Sequence, residues 1–363
     1  MFMKEKSILF VSLFLLVFFN IVPAVFAVDT VSKSPYAGAI VIDAATGNVL
    51  FEDNADVKGY PASVTKLMVL LIILEAIDSQ RLSLDDPITV TAEASKIGGS
   101  QVYLKENEVF PVDELLYALI VQSANDAATA LAIHYAGSKE AFVELMNKRA
   151  QEIGMKDTVF HSVHGLPPSK DQLPDVSTPR DIAKLGQELI KRPDALKYTS
   201  TKERPFRSDT DKPFIMRSHN HLLGSLEGCD GLKTGYFSAA GFSIAATAQK
   251  KGQRAIAVVM GSVDRKVRDA KTNEILTKGL MGLVLNAPPS APEHSAAAVA
   301  PPAKETPKAV DGEKSQSESQ TSDVLQIKKS TLKIIGAVLG ILIILGFVLY
   351  TIAKRPRKNT YMG

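Results

Sequence analysis

Apolar residues in the body of the chain first fall into two β-rich runs, AGAIVID and NVLFED, which flank AATGN, a hairpin signal. After Pro61 the spacing changes to three and four residues, the helical period, and it holds through the middle third. Helices are predicted for the segment after Pro61, for PVDELLYALIVQSANDAATALAIHYAG and for SKEAFVELMNKRAQEIG. STPRDIAKLGQELIKRP predicts another, with Thr178 as N-cap, Pro179 in the first turn, Asp181 completing a capping box and Pro193 past the end. Strand character returns in GFSIAATAQKKGQRAIAVVMGS, two alternating apolar runs around a KKGQ turn. Strands at both ends with helices between them predict an α+β fold: a mixed sheet assembled from distant segments, with a helical subdomain beside it. The chain shows no internal repeat.

The two ends of the chain carry a different pattern. Lys4 and Lys6 precede an apolar stretch from Ile8 to Phe19, and Val25 and Ala27 occupy the small-residue positions of a cleavage site, so residues 1–27 read as a secretory signal peptide. LKIIGAVLGILIILGFVLYTIA, within 331–353, is long enough to cross a bilayer. KRPRK follows it, and residues 354–363 are expected to stay cytoplasmic by the positive-inside rule. Between the body and this span, residues 287–330 are Ala, Pro, Ser, Glu and Lys with almost no large apolar side chains, too little to offset chain entropy by burial. They read as a disordered stalk with an r.m.s. span of about 35–40 Å. The expectation is a folded body, residues 28–286, on the outer side of a cell membrane, tethered by one C-terminal span.

Charge adds little. At +3 the chain has no basic face of the kind nucleic-acid binding requires. A lone cysteine, Cys229, excludes an internal disulfide and reads as a small buried hydrophobe.

The helix after Pro61 is where chemistry enters. Leu67–Leu74 is an unbroken apolar run bounded by Lys66 and Glu75, too short for a membrane, so it must be a core helix. Ser63 and Lys66 stand three residues apart on one face, with Cβ atoms within about 6 Å. For the amine to accept the serine proton at neutral pH, its pKa must fall from about 10.4 toward neutrality, at about 1.36 kcal/mol per unit. Burial and a second cation are the means available. The apolar helix supplies the first, and Lys233 of GCDGLKTGYF could supply the second. IVQSANDAA, in the helical middle, adds Ser123 and Asn125.

S-x-x-K alone is weak, since Ser330–Lys333 also matches at the membrane edge, and S-x-N recurs at Ser218–Asn220. The ordered set S-x-x-K, S-x-N, K-T-G is specific, and it marks penicillin-binding proteins and class A β-lactamases. AIVIDAATGNVLFEDNADVKGYPASVTKLMV, LIVQSANDAATALA, FHSVHGLPP, STPRDIAKL, NHLLG and DGLKTGYFSAAGFSIAATAQKKGQRAIAVVMG together resemble the low-molecular-weight penicillin-binding proteins that are D-alanyl-D-alanine carboxypeptidases. The resemblance covers nearly all of residues 36–285. It implies the fold shared with serine β-lactamases: a five-stranded antiparallel sheet flanked by helices, an all-helical subdomain, and the active site between them.

The resemblance also implies roles. Ser63 would be the nucleophile toward the D-Ala-D-Ala end of a peptidoglycan pentapeptide and Lys66 its general base. Ser123 would carry the proton to the leaving D-alanine, and Asn125 would bond the acyl side of the substrate. Lys233 and Thr234 would hold the terminal carboxylate, Gly235 would leave room along the strand edge, and the N–H groups of Ser63 and Tyr236 would form the oxyanion hole. β-Lactams would act as covalent inhibitors, and no metal or organic cofactor is implied. Two features depart from the pattern: the stalk follows LMGLVLN almost directly, and FHSVHGL has Ser162 where Asn is usual.

Neighbouring chemistries fit less well. No G-x-S-x-G elbow surrounds Ser63, as a Ser-His-Asp hydrolase would require. His161 and His164 lack an H-E-x-x-H context for zinc and read as loop histidines. A β-lactamase would want a deacylation glutamate between S-x-N and K-T-G, and none stands out. A D,D-endopeptidase that cuts cross-links is the nearest alternative, and a non-catalytic wall-binding protein would have little reason to keep all three motifs.

Overall fold

The first hairpin forms as its turn residues dictate. Strand β1 (Gly38–Asp43) returns as β2 (Val49–Asp53). The Asp43 carboxylate accepts hydrogen bonds from Ala45 N and Thr46 Oγ1, closing AATGN against its own side chain. The computed structural model describes residues 31–166, 173–208 and 213–287. The chain divides after Glu293 into two units, and every described residue lies in the first. The expected signal peptide, span and tail, and the stalk beyond Ala287, lie outside the described residues.

In chain order the remaining elements are α1 (Lys66–Asp78), β3 (Pro87–Thr89), α2 (Ala92–Ser95), β4 (Val109–Pro111), α3 (Val112–Ile120), α4 (Asn125–Ala136), α5 (Lys139–Glu152), α6 (Pro179–Ile190), α7 (Pro193–Thr199), β5 (Glu203–Phe206), β6 (Phe214–Arg217), α8 (Leu222–Ser225), β7 (Cys229–Phe237), β8 (Gly241–Lys250), β9 (Gln253–Ser262) and α9 (Arg265–Asn286). The main sheet has the order β2-β1-β9-β8-β7, and all its neighbours are antiparallel. The implied five-stranded antiparallel sheet is therefore present, and the mixed sheet suggested by the apolar pattern is not. Strands β1 and β9 pair across more than 200 residues of sequence, from Gly38 opposite Met260 to Asp43 opposite Ala255.

Both faces of the central strands are buried. Ile256 and Val258 of β9 join the core shared with the helices, while Ala255, Ala257 and Val259 face α9. The C-terminal strands thus read as almost continuous apolar runs, as strands covered on both sides do. Alanine dominates the α9 side, so the helix can sit close on the sheet, with Leu276 and Leu280 pressed against it. Helix α1 is buried on nearly every side from Lys66 to Leu74, which explains its lack of a polar face. Among the described residues no helix is long and apolar enough to cross a membrane.

Two predicted elements differ in detail. The single helix expected over PVDELLYALIVQSANDAATALAIHYAG is broken into α3 and α4, with Ser123 in the break at φ +60°. The capping box of α6 is half formed: Thr178 Oγ1 accepts from Asp181 N, but the Asp181 carboxylate turns away to Asp157 N, Thr158 Oγ1 and Lys184 Nζ. Tertiary donors outcompete the local one there. Pro193 does fall beyond α6, and it opens α7.

Candidate active site

Ser63 lies outside helix α1, in a 3-10 turn, Ala62–Thr65, that leads into it. Lys66 is the first residue of the helix proper. Ala62 before the serine has φ +49°, a left-handed value that costs a Cβ-bearing residue about 1–3 kcal/mol. The turn presents Ser63 to the cleft while Lys66 stays at 0% exposure. Lys66 Nζ lies 3.0 Å from Ser63 Oγ and donates to the carbonyl of His164 at 2.7 Å. Burial holds this amine well below the usual lysine range, and the Lys233 cation pushes it the same way; the carboxylates of Asp175 and Asp126 pull against both. Both means of lowering a lysine pKa therefore act on Lys66.

The second motif sits at the α3–α4 break. Asn125 N donates to Ser100 O, and its Nδ2 donates to Gly98 O at 2.7 Å. The buried Oδ1 finds no partner among the described residues. Asp126 locks this corner by accepting from the N–H groups of Val102, Leu104 and Ala127.

The third motif lies on β7, which ends the sheet and pairs with no further strand among the described residues. Lys233 is 3% exposed and Thr234 is 6% exposed. Burial, followed by the charge of Arg268, pushes the Lys233 amine down to about 7. A Cβ at Gly235 would come within 2.4 Å of Pro61 O and 3.0 Å of Ser63 N. The glycine is thus required by the backbone of the serine turn. Tyr236 is 55% exposed at the rim and stacks on Phe242, with ring centroids 4.1 Å apart.

Ser63, Ser123, Thr234, Gly235 and Tyr236 line one cavity of about 280 Å3. The fold thus brings the three motifs to a single place, Lys66 and Lys233 being buried behind its walls. Sequence reasoning missed His219, Arg265 and Arg268, which line the same cavity. Arg268 is buried at the start of α9, donates to Ser243 O and pairs with Asp269. His219 is pushed down to about 4, by burial first and by Lys233 next, so its imidazole is neutral at pH 7. Arg265 and Arg268 belong to no motif, His219 falls only within the second S-x-N match, and the approach of α9 and the segment before α8 to β7 reveals all three.

The loop over residues 161–166 closes the site from behind. Gly165, at φ +74°, packs so tightly that a Cβ would lie 2.0 Å from Ala62 O. His161 and His164 are loop histidines, and the carbonyl of His164 accepts from the lysine amine. Cys229 is half-buried, and burial pushes its thiol up to about 11, as expected of an inert side chain.

A family model described as D-alanyl-D-alanine carboxypeptidase, peptidase family S11, matches residues 29–264. The chain belongs to this family. Among S11 relatives it is 38% identical over 238 residues to the D-alanyl-D-alanine carboxypeptidase DacF of Bacillus subtilis, covering 66% of this chain and 60% of that protein. It is likewise 38% identical over 248 residues to DacA of Escherichia coli, covering 66% of this chain and 59% of that one. The chain therefore spans about three fifths of the length of these relatives. The crystal structure of penicillin-binding protein D2 from Listeria monocytogenes in its ampicillin-bound form superposes with a TM-score of 0.60 at 32% identity, over 68% of this chain and 97% of that one.

Proposed function

We propose that this chain is a serine-type D-Ala-D-Ala carboxypeptidase that removes the terminal D-alanine from peptidoglycan pentapeptide stems through an acyl-enzyme on Ser63. The observation that carries this reading is the fully buried amine of Lys66, 3.0 Å from Ser63 Oγ, in a cleft beside the strand that ends the sheet. Neutral Lys66 takes the hydroxyl proton as Oγ attacks the carbonyl of the penultimate D-alanine. The developing oxyanion is met by the N–H groups of Ser63 and Tyr236. Lys233 and Thr234 hold the terminal carboxylate, and Arg268 adds positive potential from behind. Asn125, next but one to Ser123, flanks the acyl side of the substrate. Collapse expels D-alanine, which receives its proton by way of Ser123, and water then hydrolyses the ester and restores Ser63. No step needs a metal or an organic cofactor. A β-lactam enters the same path and stops at the acyl-enzyme, and the ampicillin-bound form of the Listeria monocytogenes relative supports this.

The hydrophobic ends of the sequence support a body outside the cytoplasmic membrane, held by a C-terminal span after cleavage of the signal peptide. Peptidoglycan is then within reach, and the enzyme serves cell-wall remodelling.

A fluorescent penicillin tests the mechanism on the full-length protein: the wild type is labelled covalently and Ser63→Ala is not. Label retained by that variant would sink the nucleophile assignment. Mass spectrometry of digested muropeptides tests the reaction. Loss of one alanine from pentapeptides is expected; halved dimers would replace the carboxypeptidase reading with an endopeptidase, and rapid penicillin turnover without action on muropeptides would replace it with a β-lactamase.

A further inference from the structure

Behind the Ser63–Lys66 pair lies a carboxylate that the proposed chemistry does not use. Asp175 is 5% exposed, and it accepts four hydrogen bonds. His161 N and Ser162 N reach Oδ1 at 2.7 and 2.8 Å, while Ser162 Oγ and Thr65 Oγ1 reach Oδ2 at 3.0 and 2.9 Å. The two backbone groups can only donate, and Ser162 Oγ already accepts from Gly165 N at 2.8 Å, so its own proton points to Asp175. The set fits the ionised carboxylate: burial pushes the Asp175 carboxyl up, and these donors pull the other way.

These contacts join two segments about 100 residues apart. Thr65 belongs to the turn that presents Ser63 and immediately precedes Lys66. Residues 161–165 form the loop whose His164 carbonyl receives Lys66 Nζ and whose Gly165 abuts the backbone of Ala62. Asp175 is thus bonded to both sides of the seam in which the lysine amine is held. Ser162, the residue that departs from the family pattern, is one of its ligands.

Resting on the carboxypeptidase reading above, we propose that Asp175 is a positioning residue for the Ser63–Lys66 pair, clamping the 161–165 loop onto the serine turn and setting the charge environment of the amine. The charged and titratable groups around Lys66 are Lys233 from β7, Asp126 from α4, His164 from the loop and Asp175 itself. Those around Asp175 are Lys66 and His161, beside the hydroxyls of Thr65 and Ser162. Of the two carboxylates acting on the amine, Asp175 exerts the stronger pull toward the protonated form.

Two variants separate the clamp from the charge. Asp175→Asn keeps an oxygen for both N–H groups, and its amide can donate to hydroxyls that are free to turn, so it removes charge and keeps most of the clamp. Asp175→Ala removes both. The measurement is the rate of penicillin acylation of the full-length protein across acid and alkaline pH. Acylation requires neutral Lys66, so the rate is lost as pH falls through the pKa of that amine. Without the Asp175 charge the amine is harder to protonate, and the acid limb of Asp175→Asn moves to lower pH. The alkaline limb, set by loss of the Lys233 proton near 7, stays in place. A purely structural role would lower the plateau without moving the acid limb.

Asp175→Ala is expected to lower the plateau by about 10²-fold, the cost of a misplaced reacting pair. An acid limb unmoved in Asp175→Asn overturns the charge role. A wild-type plateau in Asp175→Ala overturns the clamp; should that variant not fold, Thr65→Val, which deletes one bond to Oδ2, must lower the plateau or the clamp is overturned in the same way. Failure of the wild type itself to label at Ser63 is a separate result and defeats the carboxypeptidase reading, and this inference with it.

Discussion

On the side covered by α9, the sheet presents Ala39, Val41, Ile244, Ala246 and Ala257, and the helix answers with Ile275, Leu276 and Leu280. On the other side, near the end of α1, the buried residues include Lys66, Ser123, Asn125, Asp126 and Asp175. The first face is closed by dispersion and loss of apolar area, which need only complementary shapes. The second buries polar groups whose desolvation must be met by specific partners, such as the four donors on Asp175. The α9 face gives stability that the cleft face spends on reactivity. An amine kept dry enough to act as a base is a destabilised amine.

Lys66→Met breaks this contrast most sharply. Acylation by penicillin should fall about 10²–10⁴-fold, the usual contribution of a general base. The same change removes the cost of burying the amine, so the melting temperature should rise by about 2–4 °C for each kcal/mol recovered. A variant that loses both activity and stability would refute the view of Lys66 as strained. Leu276→Ala tests the opposite face: denaturant unfolding should show a loss of about 2–5 kcal/mol, with the acylation rate per folded molecule unchanged. A slowed acylation step there would mean that the two faces are coupled.

Lys233→Ala should slow acylation about 10–150-fold, since a carboxylate loses a charged partner worth about 1.5–3 kcal/mol. Stopped-flow traces that match the wild type would remove Lys233 from the carboxylate site. The smallest effect is expected far from both faces. Arg180 pairs with Glu52 and Asp56 at 2.6 and 2.7 Å, but on the surface, where an ion pair is worth about 0.2–1 kcal/mol. Arg180→Ala should shift the unfolding midpoint by no more than that, and a larger loss would show this corner to be more than a solvated pair.

Much of the architecture was legible because it is local. AATGN closes on Asp43, Thr178 caps α6, and the unbroken apolar run after Lys66 is a buried helix. The departures arose where distant partners overruled local preference. Asp181 abandons its capping box for Asp157 and Thr158, and Ser123 breaks a helix that its apolar period would have continued. Arg268 and Asp175 carried no signal, and His219 stood only inside the second S-x-N match, which reads as chance; their place is set by how α9, β7 and the 161–166 loop converge.

The first hairpin, the helices of the middle third, the last two strands and the three spaced motifs follow from sequence alone, since each depends on a few consecutive residues; the close pairing of Lys66 with Ser63 comes from a 3-10 turn before α1 and not from the period of one helix. The low pKa of Lys66 does not follow from sequence. It requires the lysine at the start of α1, the cation on β7 and the carboxylates of Asp126 and Asp175 to meet in a space without water. Desolvation is a property of everything packed around a group, and only the folded chain decides what that is.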